Sequence, residues 1–215
     1  GSHAYLYEAK ILPDGQLTGI YRSGNHFKTY WEGKRSDSIE LKSLGDPLGL
    51  TIMNNDEVFK LALSDTKGNR IDISQGTFAG KPKILQIMGT WCPNCKDETA
   101  FLLGYLKDNP DPGFEILGVS FERHTDTTKA IAAIETYKTK MQIPYPIVYG
   151  GTNDKKKAGE VFPMLNKVVA YPTLIFLDKY NKVVAIHTGF SGPATSGYAA
   201  LKEEFSELVT KMKSR

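Results

Sequence analysis

Cysteine and histidine are scarce in this chain: two cysteines and four histidines in 215 residues. Structural zinc normally takes four ligands. One Cys-x-x-Cys pair with His3, His26, His124 and His187 scattered along the sequence supplies no second half-site, so no metal is expected. Long apolar runs are missing as well. No stretch approaches the roughly 20 residues that span a bilayer, and the chain as given is expected to be soluble. Neither sign of charge dominates, with a formal net charge of +3. The densest basic run, Lys155-Lys156-Lys157, is short and leads into Ala158, Val161 and Phe162. It reads as the solvated start of a helix rather than a phosphate-binding patch, and no nucleic-acid partner is expected. There is no internal repeat.

What is present is an ordinary globular composition, 40% hydrophobic and 24% charged. The length suits one large domain or a standard domain with a smaller companion. Gly1-Ser2-His3 looks like the scar of a cleaved tag, so a native signal peptide or lipid anchor ahead of it is an open expectation. Two cysteines in one pair do not decide the compartment, because such a pair works in the cytosol or outside it.

Both cysteines lie in one stretch, Ile84 to Leu106, ILQIMGTWCPNCKDETAFLLGYL. An apolar strand, Lys83 to Met88, runs into Trp91-Cys92-Pro93-Asn94-Cys95 and then into a helix starting at about Pro93. That places Cys92 at the helix N-terminus, where unpaired N–H groups and the helix dipole favour a thiolate, so Cys92 is the expected nucleophile. Pro93 suits the first helical turn, because the N–H it lacks would be unpaired there anyway. Cys95, one turn on, is the more buried resolving thiol. A purely structural disulfide is the competing reading, but so short a loop constrains the unfolded chain little.

Counting from Cys95 at about 100° per residue, Thr99, Leu102, Leu103 and Leu106 cluster on one side, with Phe101 and Tyr105 extending the arc. Glu98 falls at about 60°, inside that arc, while Lys96, Asp97, Lys107 and Asp108 face the other way. Two readings stand: a rim residue favouring the first turn, or a buried carboxylate with a raised pKa that exchanges protons with the thiols.

Trp91-Cys92-Pro93-Asn94-Cys95 after an apolar strand, with Tyr171-Pro172-Thr173 opening a later one, resembles the thioredoxin superfamily. The pattern is most similar to its TlpA/ResA-like thiol-disulfide oxidoreductases, over roughly residues 56 to 212. The resemblance implies an α/β thioredoxin-like fold, a central mixed sheet flanked by helices. It assigns attack to Cys92, resolution to Cys95, and a facing cis-proline to Pro172, supported by Trp91, Pro93, Asn94 and Tyr171. A glutamate at the spacing of Glu98 is common in this group. Thioredoxin itself has Gly-Pro between its cysteines and a buried aspartate six residues before the first; here those positions hold Pro93-Asn94 and Gln86, so proton handling must differ. The implied function is reduction of protein disulfides in the bacterial cell envelope through a mixed disulfide, with no metal or organic cofactor. The partners would be a disulfide-containing protein and a membrane electron donor that re-reduces the pair. Two alternatives are a thiol peroxidase of the same fold and a binding protein whose N-terminal β segment carries the function.

Along the chain, residues 4–50 read as a small antiparallel β-rich segment or partial domain: Tyr5 to Ile11, Leu17 to Arg22 and Phe27 to Trp31. Pro13-Asp14-Gly15 and Ser23-Gly24-Asn25 separate these runs. Tyr7, Tyr21, Tyr30 and Trp31 either line a ligand surface or, more usually for strand aromatics, pack across strands. Ser43 to Asn55 reads as a linker. The thioredoxin-like domain, 56–215, then begins with a hairpin of Val58 to Leu63 and Arg70 to Ile73, followed by a loop from Gly76 to the catalytic strand. After the active-site helix come a buried strand Glu115 to Phe121, a helix capped by Asp126 and running to Met141, a strand Pro146 to Tyr149 and a helix Lys155 to Leu165. A second hairpin, Val168 to Leu177 and Val183 to Thr188, precedes a last helix from Tyr198 to Met212 that buries Leu201, Phe205, Leu208 and Met212. Gly189 to Gly197 resembles a phosphate loop only superficially and reads as turn and cap. His124 follows a parallel strand toward the thiols but is more simply solvated, and His187 reads as a packed or surface strand residue.

Overall fold

The computed structural model describes residues 5–23, 27–35 and 46–215. The N-terminal scar, His3, His26, the Gly24-Asn25 turn and residues 43–45 of the linker lie outside the described residues. The chain divides into two units, Gly1–Leu44 and Gly45–Arg215.

The first unit holds a three-stranded antiparallel meander, β1 Tyr5–Ile11, β2 Leu17–Ser23 and β3 Phe27–Gly33, in the order β1-β2-β3. Tyr7 stands opposite Tyr21 in register, with ring centroids 4.7 Å apart, and Trp31 lies edge-on to Tyr7 at 6.3 Å. These aromatics pair across strands. Trp31 sits over Gly19, where a Cβ would come within 1.9 Å of the Glu8 carbonyl, so only glycine fits beneath the indole.

In the second unit a short hairpin, β4 Ala62–Ser64 and β5 Arg70–Asp72, precedes a five-stranded sheet. The sheet and its helices follow as β6 Lys83–Met88, α1 Pro93–Asp108, β7 Glu115–Glu122, α2 Thr127–Met141, β8 Ile147–Thr152, α3 Lys155–Val161, β9 Thr173–Leu177, β10 Val183–Thr188 and α4 Tyr198–Lys213. Strand order is β10-β9-β6-β7-β8; β6, β7 and β8 are parallel, and β9 pairs antiparallel with both β6 and β10. This mixed sheet flanked by helices is the thioredoxin-like architecture.

Period-two alternation divides β6 between two cores. Ile84 and Met88 join the cluster that contains Leu102 of α1, Ile134 of α2 and Phe205 of α4, whereas Leu85 and Ile87 join Phe59, Phe121, Ala158 and Phe162 on the other face. Gln86 shares the parity of Ile84 and Met88, so it points beneath α1.

Several boundaries differ from those read in the sequence. Helix α3 ends at Val161 rather than Leu165, because Phe162 precedes Pro163 and leaves the helical region at φ −120° and ψ 64°. Strand β9 begins at Thr173 rather than Val168, since Pro172 has no N–H to give a ladder. In the first hairpin only Ala62–Ser64 pairs in a ladder; Phe59 instead donates its N–H to Asn181 O at 2.8 Å. In α4 the buried stripe is Phe205, Leu208, Val209 and Met212, with Leu201 half-buried. Residues 46–55 run with the second unit: Thr188 N–H donates to Pro47 O at 3.0 Å and buried Thr51 accepts from Thr188 Oγ1 at 3.1 Å.

Candidate active site

The carboxyl ends of β6 and β7 open where α1 begins, the edge at which parallel α/β sheets carry their sites. Cys92 is the N-cap of α1, with extended backbone, and Pro93 occupies the first helical turn. The Cys95 N–H donates to Cys92 Sγ at 3.3 Å, so the sulfur takes the place of a capping oxygen. Cys92 is 6% exposed and Cys95 is fully buried. Cys92, the expected nucleophile, is thus more covered than its loop position suggests, because Trp91 and Tyr171 pack against the cluster that holds both sulfurs. Cys92 Sγ lies 3.6 Å from the carbonyl of Tyr171, and the Tyr171–Pro172 peptide bond is cis.

The two thiols are driven apart electrostatically. A hydrogen bond from the Cys95 thiol is the largest influence on Cys92; with the N–H groups of Cys95 and Asn94 and the charge of Arg123, it holds Cys92 below the usual thiol range despite burial. Burial, reinforced by the Cys92 sulfur and by Glu98, pushes Cys95 well above that range.

Besides Trp91, residues not singled out in the sequence hold the loop before Cys92. Trp91 Nε1 donates to Phe121 O at 2.8 Å, and the Arg123 guanidinium stands 4.6 Å from the Trp91 ring centroid. A Cβ at Gly89 would meet Trp91 Nε1 at 2.4 Å and Phe121 O at 2.7 Å, so the close crossing of the loop over β7 requires glycine there. Glu122, buried at the end of β7, accepts from Thr90 N at 3.0 Å, Thr90 Oγ1 at 2.7 Å and Ser120 Oγ at 2.6 Å. Its signal in the sequence was a lone acid ending an apolar strand at the ligand edge of the sheet. Glu122→Ala leaves those donors without their carboxylate and is expected to cost about 2 kcal/mol in urea unfolding, with faster alkylation of Cys92. His124 is exposed.

Glu98 is fully buried within α1, so the rim placement considered for it is not the arrangement found. Gln86 Nε2 donates to Glu98 Oε2 at 2.9 Å and to Thr99 Oγ1 at 3.1 Å. The Gln86 amide is held by Tyr145, whose hydroxyl donates to Gln86 Oε1 at 3.1 Å, and Tyr137 donates to Thr99 Oγ1 at 2.9 Å. Burial raises the Glu98 carboxyl well above its ordinary value; the Gln86 hydrogen bond works against this and the Cys92 charge adds to it. The arrangement is a dithiol with one activated and one suppressed sulfur, above a buried acid whose neighbours leave one of its oxygens unpaired. Among the described residues, no three His, Cys, Asp or Glu side chains group as a metal site requires.

Residues 55–186 match the AhpC/TSA family. Thiol-disulfide oxidoreductase ResA of Bacillus subtilis (strain 168) is 26% identical over 139 residues, covering 65% of this chain and 69% of that protein. Thiol-disulfide oxidoreductase ResA of Halalkalibacterium halodurans is 24% identical, covering 72% and 76% respectively. Among solved structures, a thiol-disulfide oxidoreductase from Bacteroides fragilis superposes with a TM-score of 0.54 at 21% identity, covering 71% of this chain and 99% of that one. The cysteine pair, the fold that carries it and these likenesses converge: the chain belongs to the AhpC/TSA family and is a TlpA/ResA-like thiol-disulfide oxidoreductase of thioredoxin-like fold.

Proposed function

We propose that the protein reduces disulfides of other proteins in the bacterial cell envelope, with Cys92 as nucleophile and Cys95 as resolving thiol. The observation that carries this reading is the opposed tuning of the two sulfurs, Cys92 lowered at a helix N-terminus and Cys95 raised in the interior. The Cys92 thiolate attacks one sulfur of the substrate disulfide; the Cys92–substrate bond forms, the substrate S–S bond breaks, and the first substrate thiol leaves with a proton. Cys95 then loses its proton and attacks Cys92 Sγ. This forms the Cys92–Cys95 disulfide and releases the second substrate thiol, so two electrons pass to the substrate. A membrane electron donor returns them. No metal or organic cofactor enters either step.

Glu98 is the proton partner of the thiols in this scheme. It lies one turn beyond Cys95 and senses the charge of Cys92, and burial holds its carboxyl well above the ordinary range. The Tyr171 carbonyl beside Cys92 Sγ and the cis Pro172 next to it form the backbone edge against which a substrate strand would lie. Trp91, Pro93 and Asn94 shape the loop that presents the sulfur. The cell-envelope assignment is supported by the TlpA/ResA likeness; among the described residues no helix is long and apolar enough to cross a membrane.

The direction of electron flow is tested by the reduction potential of the pair. A reductase is expected near the thioredoxin end of the scale, about −270 mV. A value near the strongly oxidising end, about −120 mV, would make the protein an oxidant. Peroxide consumption supported by a thiol donor at rates above those of disulfide reduction would favour a peroxidase.

A further inference from the structure

Glu98 Oε2 is held by Gln86, while Glu98 Oε1 is buried with no hydrogen-bond partner. A second carboxylate is in the same condition nearby. Glu204 of α4 has its Oε1 buried with no hydrogen-bond partner, although 34% of its side chain remains exposed. Both glutamates and His187 of β10 line one small cavity whose other walls are apolar, including Phe101, Phe176 and Phe205. About 10 Å³ of it is open to the centre of a water molecule, roughly the space of a single water. Two buried carboxylate oxygens around such a space are costly unless a shared donor lies between them.

The hydrogen bonding of His187 fixes where a proton must be. Nδ1 lies 3.2 Å from the Gly189 carbonyl, which can only accept, so Nδ1 carries the hydrogen. Nε2 then faces Glu204 Oε1 at 3.5 Å, a contact too long to count as a hydrogen bond. Nε2 and Glu204 Oε1 thus stand side by side at the wall of the cavity without a direct hydrogen bond, a gap that a bridging water can span.

We propose that a water in this cavity links Glu98 to the His187–Glu204 pair, and that this pair is the outlet through which the buried dithiol exchanges protons with solvent. The proposal rests on the reading of Glu98 as the proton partner of the thiols. When Cys95 attacks the mixed disulfide, its proton passes to Glu98. Glu98 gives one to the water, the water gives one to the pair, and the exposed side of Glu204 releases one to solvent. Re-reduction runs the same path inward, and no electrons travel along it. The other titratable groups facing Glu98 are Cys92, Cys95, Tyr137 through Thr99 and Tyr145 through Gln86. Both phenols are kept protonated by burial, which leaves the His187–Glu204 side as the way out.

The test follows the rate at which the mixed disulfide resolves, against pH, with a small aromatic disulfide as substrate and stopped-flow detection. Glu204→Gln and His187→Asn are each expected to slow resolution about tenfold and to shift its pH midpoint, with Glu204→Asp restoring part of the rate. The double variant Glu98→Gln/Glu204→Gln should be no slower than Glu98→Gln alone, because both act on one path. Wild-type pH profiles in Glu204→Gln and His187→Asn beside an impaired Glu98→Gln would overturn the outlet while leaving the role of Glu98 standing. A silent Glu98→Gln would overturn that role and the route together. His187→Asn decides the matter if Glu204→Gln does not fold.

Discussion

Cys95→Ser is expected to stall with its substrate covalently attached, and Cys92→Ser to form no adduct at all. The difference follows from the end of α1 on which each sulfur sits. Cys92 accepts the Cys95 N–H and is held below the usual thiol range, so it is the more readily ionised sulfur, and it lies at the Tyr171 edge. Cys95 is fully buried and pushed upward, which makes it a poor first attacker but well placed to attack a sulfur bonded to Cys92. Mixing each reduced variant with a disulfide-bonded protein and separating the products without reductant shows the outcome directly: a mixed disulfide accumulates with Cys95→Ser, while turnover by both variants falls to the uncatalysed rate. The same asymmetry predicts that iodoacetamide at neutral pH labels Cys92 well before Cys95 in the wild-type protein. An adduct trapped on Cys95 in the Cys92→Ser protein would reverse the roles.

The site was legible where local rules decide it. A strand of six buried residues and a proline suited to a first turn fix β6 and the start of α1, and a 3.6-residue apolar arc puts Glu98 on the inward side while leaving rim and interior open, all within one continuous stretch. What escaped was supplied by other elements. Glu122 ends β7 and Arg123 follows it, and alternation along a strand does not say that its last acid turns back to hold the Thr90 backbone. Gln86 stood out as a substitution for an acid, but its partner Tyr145 arrives from the approach to β8, and Tyr137, which donates to the neighbouring Thr99, arrives from α2, contacts of long sequence separation. His187 looked like a packed strand residue because its partner, Glu204, lies on α4. Boundaries were overread wherever proline intervenes: Pro163 and Pro172 each shorten an apolar run that looked like one element.

Glu98→Gln is expected to make the protein more stable and slower, and the two effects should grow together with pH. The folded protein binds the Glu98 proton more tightly than the unfolded chain does, because burial opposes ionisation. The stability this confers is fully present below the unfolded carboxyl value of about 4.3 and is lost as pH rises from there through the raised folded-state value. Within that window the wild-type protein should lose about 1.4 kcal/mol per pH unit from this group. Glutamine has no proton to lose and still accepts from Gln86, so the stability advantage of the variant widens as pH climbs from 4 to 7. Urea unfolding of both reduced proteins across that range measures it, and parallel stability curves would mean that the carboxyl is not held protonated by the fold. Exchange moves the opposite way: without a carboxylate to take the proton of Cys95, resolution should slow by roughly a hundredfold, with its dependence on pH shifted toward that of an unassisted thiol. A variant more stable at neutral pH and slower in the same range identifies Glu98 as a group kept for chemistry at the expense of the fold. A variant that is slower without that pH-dependent gain in stability would point to a packing role instead.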